Sequence, residues 1–249
     1  MKIIVCVKRV PDTETRVRIG GDGSSIDPSG VKFVMNPYDE FAVEAALKHK
    51  EGAGEGSVTA VSAGLAESAE TLRTALAMGA DDAVLLKTGR PLQGLEVAKL
   101  LAAEIKEREH DLLLFGLKAI DDDLQQVGTM TAELLGLPSA SAVTEFRVEG
   151  ASVTAQREIE GGTEVVELPL PCALTITKGA YEPRYPSLKG IMSAKRKPLE
   201  EKEVDAPEPA SEPGVLSYPP EREPGRVVGE GPDAVPELLR VLREEAKVL

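Results

Sequence analysis

The chain has 249 residues and a formal net charge of −13, which suits one large domain or one domain with an arm. The excess of acid argues against a nucleic-acid partner, because such a surface needs a basic face. No run of about 18 apolar residues occurs, so we expect no direct membrane insertion.

Residues 1–136 alternate strand patterns with helix patterns, and this alternation predicts right-handed crossovers and a mostly parallel sheet. The predicted strands are 2–8, 57–64, 82–87 and 111–116. The predicted helices are 39–50, 66–80, 93–108 and 123–136. Asp123 is a predicted N-cap, and Gly79 and Gly136 are predicted to end helices. The fold class is therefore α/β, with helices on both faces of the sheet.

Two segments depart from this alternation. Residues 16–34 have a Gly/Asp/Ser turn between two short strands, which predicts a hairpin inserted after the first parallel strand. Residues 142–149, 152–158, 163–168 and 173–177 are predicted strands of an antiparallel extension, with hairpin turns at Gly150 and at 160–162.

The end of the chain reads as an arm. Residues 199–231 are rich in Pro and Glu and cannot form a core of their own, and 233–249 has the pattern of an amphipathic helix. We therefore predict a domain over 1–198 and an arm over 199–249. The helix docks either on its own body or on a partner subunit.

Ligands of open parallel sheets bind outside the carboxyl ends of the strands. The loops there are 7–12, 62–64 and 116–123. A helix that begins after Asp123 would present the free N–H groups of 124–127, which favour an anion.

Three consecutive aspartates, 121–123, lie in the last of these loops. Their spacing argues against a metal site, which needs converging carboxylates, and nothing pairs them with a nucleophile. Solvated acids behind an N-cap and a nucleotide loop both stay open. Cys6 and Cys172 match no metal or redox spacing and are predicted to be buried thiols. We predict no catalytic residue and no metal, so the chain does not look like an enzyme on its own.

The segments "VKRVPD", "NPYDEFAVEAAL", "RTALAMGAD", "GLKAIDDDLQQVG" and "EPRYPSLKGIMSAKRKP" resemble the electron transfer flavoprotein β subunit, in order from residue 1 to about 198. The resemblance implies an adenine-nucleotide-binding, Rossmann-like fold and a heterodimer with an α subunit. It implies that this chain binds AMP and that α mainly holds the FAD.

The same resemblance implies an electron carrier without catalysis of its own. It would pass electrons from flavin dehydrogenases, such as the acyl-CoA dehydrogenases of fatty acid oxidation, to a quinone oxidoreductase. The implied location is the cytoplasm of a prokaryote or the mitochondrial matrix of a eukaryote.

Carried over onto this sequence, the resemblance implies two sets of residues. The nucleotide set is Cys6, Asn36, Pro37, Tyr38, Asp39, Ala63, Gly116, Leu117, Lys118, Ala119, Ile120, Asp121, Asp122, Asp123, Leu124, Gln125, Gln126 and Val127, with Asp122, Gln125 and Gln126 as the expected polar contacts. The docking set, for flavin dehydrogenases, is Tyr185, Leu188, Ile191, Met192, Lys195 and Arg196.

Two positions bear on which nucleotide is bound. Val127 stands where AMP-type members often have Thr, and bifurcating members, which hold a second FAD in this pocket, often have Val. Bifurcating members usually have Gly where this chain has Asp122. The triple aspartate favours AMP over FAD. A stand-alone adenine-nucleotide sensor of the stress-protein type is a further alternative, as is a hydrolase or ligase of the same fold, for which no phosphate loop is found.

Residues 178–198 form a basic island on an acidic protein, with six basic residues and one acid. Leu188 is predicted to be an exposed apolar anchor within it, which suits transient docking. The alternative is a surface loop whose Leu188 folds back onto the core.

Overall fold

The computed structural model describes residues 1–211, 214–222 and 224–249. Nine of the strands form one sheet: β1 (Lys2–Cys6), β4 (Ser57–Gly64), β5 (Asp82–Lys87), β6 (Leu112–Gly116), β7 (Ser139–Glu149), β8 (Ser152–Ile159), β9 (Gly162–Pro169), β10 (Cys172–Ile176) and β11 (Leu199–Glu203). A separate pair consists of β2 (Arg9–Pro11) and β3 (Phe33–Met35). The helices are α1 (Pro37–Ala53), α2 (Ser68–Met78), α3 (Gly94–Lys106), α4 (Val127–Leu135), α5 (Leu188–Ala194) and α6 (Val235–Arg240).

The strand order is β11-β5-β4-β1-β6-β10-β7-β8-β9, and every pairing from β11 to β7 is parallel. Strands β4 and β5 lie on one side of β1. The crossover through α3 then returns the chain, so that β6 pairs with the other side of β1. The topological switch point therefore lies between β1 and β6, where a ligand crevice is expected at the carboxyl ends. The predicted α/β class is confirmed.

Alternate residues of the central strands are buried on opposite faces of the sheet, because successive side chains of a strand point in opposite directions. Ile3 and Val5 pack with residues of α1 and α2, whereas Ile4 and Cys6 pack with residues of α3 and α4. Helices thus cover both faces, which explains why the central strands are apolar without alternation.

The antiparallel extension is smaller than predicted. Within the described part of the nine-stranded sheet, the antiparallel pairings are those of β7 with β8 and of β8 with β9. The last of the four strands predicted there, β10, instead inserts between β6 and β7 and is parallel to both. Its sequence CALTI is buried at every position, as expected of an interior parallel strand. The predicted turns at Gly150 and 160–162 are confirmed, with Gly150 and Gly161 at positive φ.

The inserted hairpin also differs in its bounds. The paired strands β2 and β3 lie at its base, and within 16–32 the described pairing is a single bridge between Ile19 and Ile26. Its Gly/Asp/Ser segment is a turn around Asp22, whose carboxylate accepts from the N–H groups of Ser24 and Ser25.

The arm leaves the sheet later than its composition suggests. Residues 199–203, the first five of the predicted arm, instead add β11 to the edge of the sheet beside β5. After β11 the chain passes Arg90, whose guanidinium donates to the carbonyl of Pro207 at 2.9 Å. It then crosses the hairpin, where the Ile19 N–H donates to the Tyr218 hydroxyl at 2.9 Å.

The predicted terminal helix forms as a short 3-10 turn (Pro232–Ala234), α6 and a π-helical turn (Val241–Glu245). Val235, Leu238 and Leu239 are exposed. Within the described parts of the chain, no helix has the length and apolar character needed to cross a membrane.

Candidate functional site

The loops at the switch point bring most of the predicted nucleotide residues together. The chain after β1 (7–8), the start of α1 (36–39) and the loop after β6 (117–126) meet around Gly116. A Cβ at Gly116 would overlap Asp39 Oδ1 and lie 2.7 Å from the carbonyl carbon of Tyr38. Glycine is therefore needed at the end of β6 for the start of α1 to approach this closely.

Asn36 shapes the loop after β6. Its side chain is 1% exposed, its Nδ2 donates to the Lys118 carbonyl at 2.8 Å, and its Oδ1 accepts from the Ile120 N–H at 3.2 Å. Both polar atoms of the amide are thus used within the protein. Asn36 is placed at the predicted site, but as a support for the loop.

Asp39 stabilises the same region through a hydrogen bond to the backbone. It is buried, and its Oδ2 accepts the backbone N–H of Lys8 at 2.7 Å, which ties α1 to the chain after β1. Burial raises the pKa of Asp39 to about 7, against the opposing effects of hydrogen bonds from Asn36 and Lys8 and of the Lys8 charge. Its neighbours Pro37 and Tyr38 are partly exposed and remain available to line the crevice.

Two lysines form ion pairs with the three aspartates. Lys8 Nζ lies 2.8 Å from both Asp121 Oδ1 and Asp122 Oδ2, and Lys118 Nζ lies 2.7 Å from Asp123 Oδ1. Burial opposes the charge of Lys8, yet Asp121 and Asp122 together raise its pKa. The aspartates are a half-exposed ion-pair network that closes the loop onto the chain after β1.

Lys8 is a residue that the sequence analysis did not select. It lies inside the predicted loop 7–12, directly after an apolar strand, and the triple aspartate follows the neighbouring strand. The opposite charges at two adjacent strand ends were the signal that would have identified it.

The prediction that Asp123 caps the helix is wrong. Helix α4 begins at Val127, and the first backbone bond into it runs from the Met130 N–H to the Gln126 carbonyl. Asp123 and Gln125 have φ values of 55° and 54°, in the left-handed region, which is incompatible with a helix continuing through them.

This shift changes which amides face the crevice. The Leu124 N–H donates to Asp122 Oδ1 at 3.3 Å and is not part of a helix end. The amides without a partner inside the helix are instead those of 127–129, because the first N–H groups of any helix lack one. Gly128 sits tightly against the sheet, since a Cβ there would lie 2.7 Å from Thr175 Cγ2 and 3.0 Å from Phe115.

The remaining predicted residues lie around this helix end. Cys6, the last residue of β1, and Ala63, the last but one of β4, lie on the face covered by α3 and α4. Cys6 is buried, and burial raises the pKa of its thiol. Leu117 continues from β6 by donating to the Ile176 carbonyl at 2.9 Å. Over residues 1–211, 214–222 and 224–249, no three His, Cys, Asp or Glu side chains are arranged to hold a metal ion.

The predicted docking residues lie on a different part of the surface. Tyr185 is 96% exposed, Leu188 84% and Met192 65%, and Lys195 and Arg196 are also exposed. Leu188 therefore does not fold back onto the core. Ile191, at 45%, lies on the same short helix, α5.

Two of the six basic residues of 178–198 do not contribute to an open basic surface. Arg184 binds the buried Glu44 through Nε at 2.7 Å and the exposed Glu51 through Nη1 at 2.6 Å, both on α1. Lys197 donates to the carbonyl of Leu76, in the last turn of α2, and to that of Ala80, two residues beyond its end. These two cations hold the segment on the body.

A cleft of about 500 Å³ opens at the opposite ends of the strands and is lined by Met1, His49 and Asp111 among others. Met1 and Asp111 precede β1 and β6, so the cleft lies at the amino ends of the strands. It is remote from the loops that gather the predicted nucleotide residues.

Known proteins match the chain over most of its length. The model of the electron transfer flavoprotein domain matches residues 24–207. The electron transfer flavoprotein subunit beta of Bradyrhizobium diazoefficiens is 43% identical over all of both chains, and that of Bacillus subtilis is 40% identical, again over all of both chains. That of Sus scrofa is 38% identical over all of this chain and 99% of its own. The chain therefore belongs to the electron transfer flavoprotein family, among its β subunits.

Proposed function

We propose that the chain is the small subunit of a heterodimeric electron carrier and that it holds AMP in the crevice between β1 and β6. The α subunit would hold the FAD, which supplies the redox chemistry. The complex would take electrons from flavin dehydrogenases, such as acyl-CoA dehydrogenases, and pass them to a quinone oxidoreductase. The observation that supports AMP binding is the loop 117–126, which leads into the amino end of α4 at the switch point of the sheet.

The residues present fit an adenine mononucleotide. The amides of 127–129 and the α4 dipole suit a phosphate group. Asp122, which is half-exposed, has a carboxylate suited to ribose hydroxyls, and Gln126 lies beside the amino end of α3. Asn36 and Asp39 hold these loops in place, so their contribution is to prearrange the crevice.

The arm supports the proposal of an α partner. Its apolar residues Val215, Val227 and Val248 are more than 60% exposed, and α6 adds Leu238 and Leu239. Apolar exposure along an extended arm is typical of a segment that is buried against another subunit. A stand-alone sensor has no use for such an arm.

The nucleotide content of the purified complex tests this proposal. The chain is expressed with the α subunit of its own organism, the complex is denatured, and the released nucleotides are identified by chromatography and mass spectrometry. We expect one FAD and one AMP per complex. Two FAD and no AMP would replace the AMP proposal with a bifurcating type, and ATP bound to this chain alone would favour the sensor.

A matched pair of variants locates the AMP. Lys8→Gln leaves Asp121 and Asp122 without their shared cation, so their charge would repel a phosphate, and AMP content should fall well below that of the wild type. Lys106→Gln, at an exposed position of α3, removes the same charge elsewhere and should leave AMP content unchanged. Equal AMP content in both variants would contradict this location.

A further inference from the structure

Helix α5, which carries Leu188, packs its inner side against the end of α2. Ala194 is 3% exposed, and a Cβ at Gly190 would overlap the carbonyl oxygen of Ala77. The backbone of α5 is thus in direct contact with the last turn of α2. The outer side of the same helix carries the exposed Leu188 and Met192.

Arg73 and Lys197 form a reciprocal cap, in which they bind carbonyls at and just beyond the carboxyl ends of α2 and α5. Arg73, on α2, donates through Nη1 to the carbonyls of Ala194 at 2.7 Å and Lys197 at 2.9 Å. Lys197, just beyond α5, donates through Nζ to the carbonyls of Leu76 at 3.0 Å and Ala80 at 2.6 Å. The last carbonyls of a helix lack partners within it, and cations there bind them and complement the helix dipole.

A helix of seven residues is not stable by itself in water. Without the reciprocal cap, α5 would have to become ordered each time it docked, and the ordering cost would weaken binding. Neither Arg73 nor Lys197 belongs to the exposed apolar group formed by Tyr185, Leu188 and Met192. Their bonds act on the backbone that carries this group.

We propose that Arg73 and Lys197 are positioning residues, which hold α5 as a preformed surface for the flavin dehydrogenase that reduces the complex. This inference rests on the proposed docking role of Leu188. The hydrogen bonds of Arg73 and Lys197 on the inner side of α5 determine the position of Leu188 on its outer side.

Steady-state reduction of the intact αβ complex by an acyl-CoA dehydrogenase and its acyl-CoA substrate tests the inference. With the complex as the varied substrate, Arg73→Gln should raise its apparent KM about tenfold, as loss of an interface anchor does, and leave kcat unchanged. Arg73→Lys keeps one cationic donor and should recover part of the loss. Arg147→Gln, at an exposed position of β7, is the matched control and should behave like the wild type.

A double-mutant cycle separates positioning from general stability. Leu188→Ala should raise the apparent KM in the wild-type background and have little further effect in the Arg73→Gln background, because the anchor is already misplaced there. Multiplicative effects of the two changes would overturn the positioning role. If Arg73→Gln does not fold, Lys197→Met enters the same cycle, with the same interpretation.

Failure of the underlying docking role has a different signature. If Leu188→Ala alone leaves the KM unchanged, or if the wild-type complex is not reduced at all, the docking part of the proposed function fails. If Leu188→Ala raises the KM and neither Arg73→Gln nor Lys197→Met does, only the inference about positioning fails.

Discussion

Asn36 and Lys118 are 82 positions apart, yet the Asn36 side chain donates to the Lys118 carbonyl at 2.8 Å and holds the loop after β6 in place. The same side chain accepts from the Ile120 N–H. A single buried amide therefore joins the start of α1 to the loop that carries the aspartates. The shape of the candidate nucleotide crevice depends on this bond.

Replacement of Asn36 tests that dependence. Asn36→Ala leaves the Lys118 carbonyl and the Ile120 N–H without their partner, and the free energy of unfolding should fall by about 1–3 kcal/mol. AMP content should fall as well, because the loop loses its support. Urea unfolding and nucleotide release measure the two effects. Asn36→Asp keeps the acceptor for Ile120 and loses the donor to Lys118; full AMP content in both variants would contradict the supporting role.

Asp39 should make folding pH-dependent. Its pKa is raised by burial to about 7, above the value of about 3.9 for an unfolded chain. The folded state therefore binds the proton more tightly. The stability that this adds is fully present below about pH 4 and is lost as the pH rises through about 7.

The measurement compares urea unfolding of the wild type and Asp39→Asn between pH 5 and 8.5. The wild type should lose more stability than the variant as the pH rises across this window, because the amide does not titrate. Parallel pH curves for the two proteins would show that Asp39 titrates below the window, as an ordinary carboxylate does.

Arg184 should be important for stability as well as for the docking segment. Glu44 is 2% exposed and accepts from Arg184 Nε, Nη2 and backbone N. Arg184→Met leaves this buried carboxylate without its cation, and the free energy of unfolding should fall by about 3–5 kcal/mol.

Glu51→Gln is the matched control, because it removes only the exposed partner of the same guanidinium. Exposed ion pairs contribute about 0–1 kcal/mol, so this change should be nearly neutral. The double variant Arg184→Met/Glu44→Met removes both buried charges and should recover much of the loss. Equal effects of Arg184→Met and Glu51→Gln on thermal unfolding would argue against a role for the buried pair.

The terminal helix should be needed for assembly with α. Leu238 and Leu239 are about 40% exposed in this chain, and both project from α6. Leu238→Asp/Leu239→Asp places charge on the surface that we propose to be buried by α, so co-purification with a tagged α subunit should be lost. Arg243→Asp, also on the exposed terminal segment, should retain α. Retention of α by the leucine variant would refute docking through this helix.

The local sequence determined most of the elements. The apolar runs of β1, β4, β5 and β6 and the helical spacing of α1 to α3 predicted their positions to within a few residues, because burial on a strand or helix imposes a short period. Gly79 and Gly136 end their helices as predicted. The motifs from 7–12 to 182–198 were enough to indicate the family.

The tertiary structure decided what depends on distant partners. The insertion of β10 between β6 and β7, and the addition of β11 beside β5, follow from pairing across the sheet, which a local pattern does not encode. The true start of α4 depends on two residues at positive φ within a loop supported by Asn36. Arg184 and Lys197 likewise looked like free surface charge, because only the folded chain places the carboxylates of α1 and the carbonyls at the end of α2 beside them.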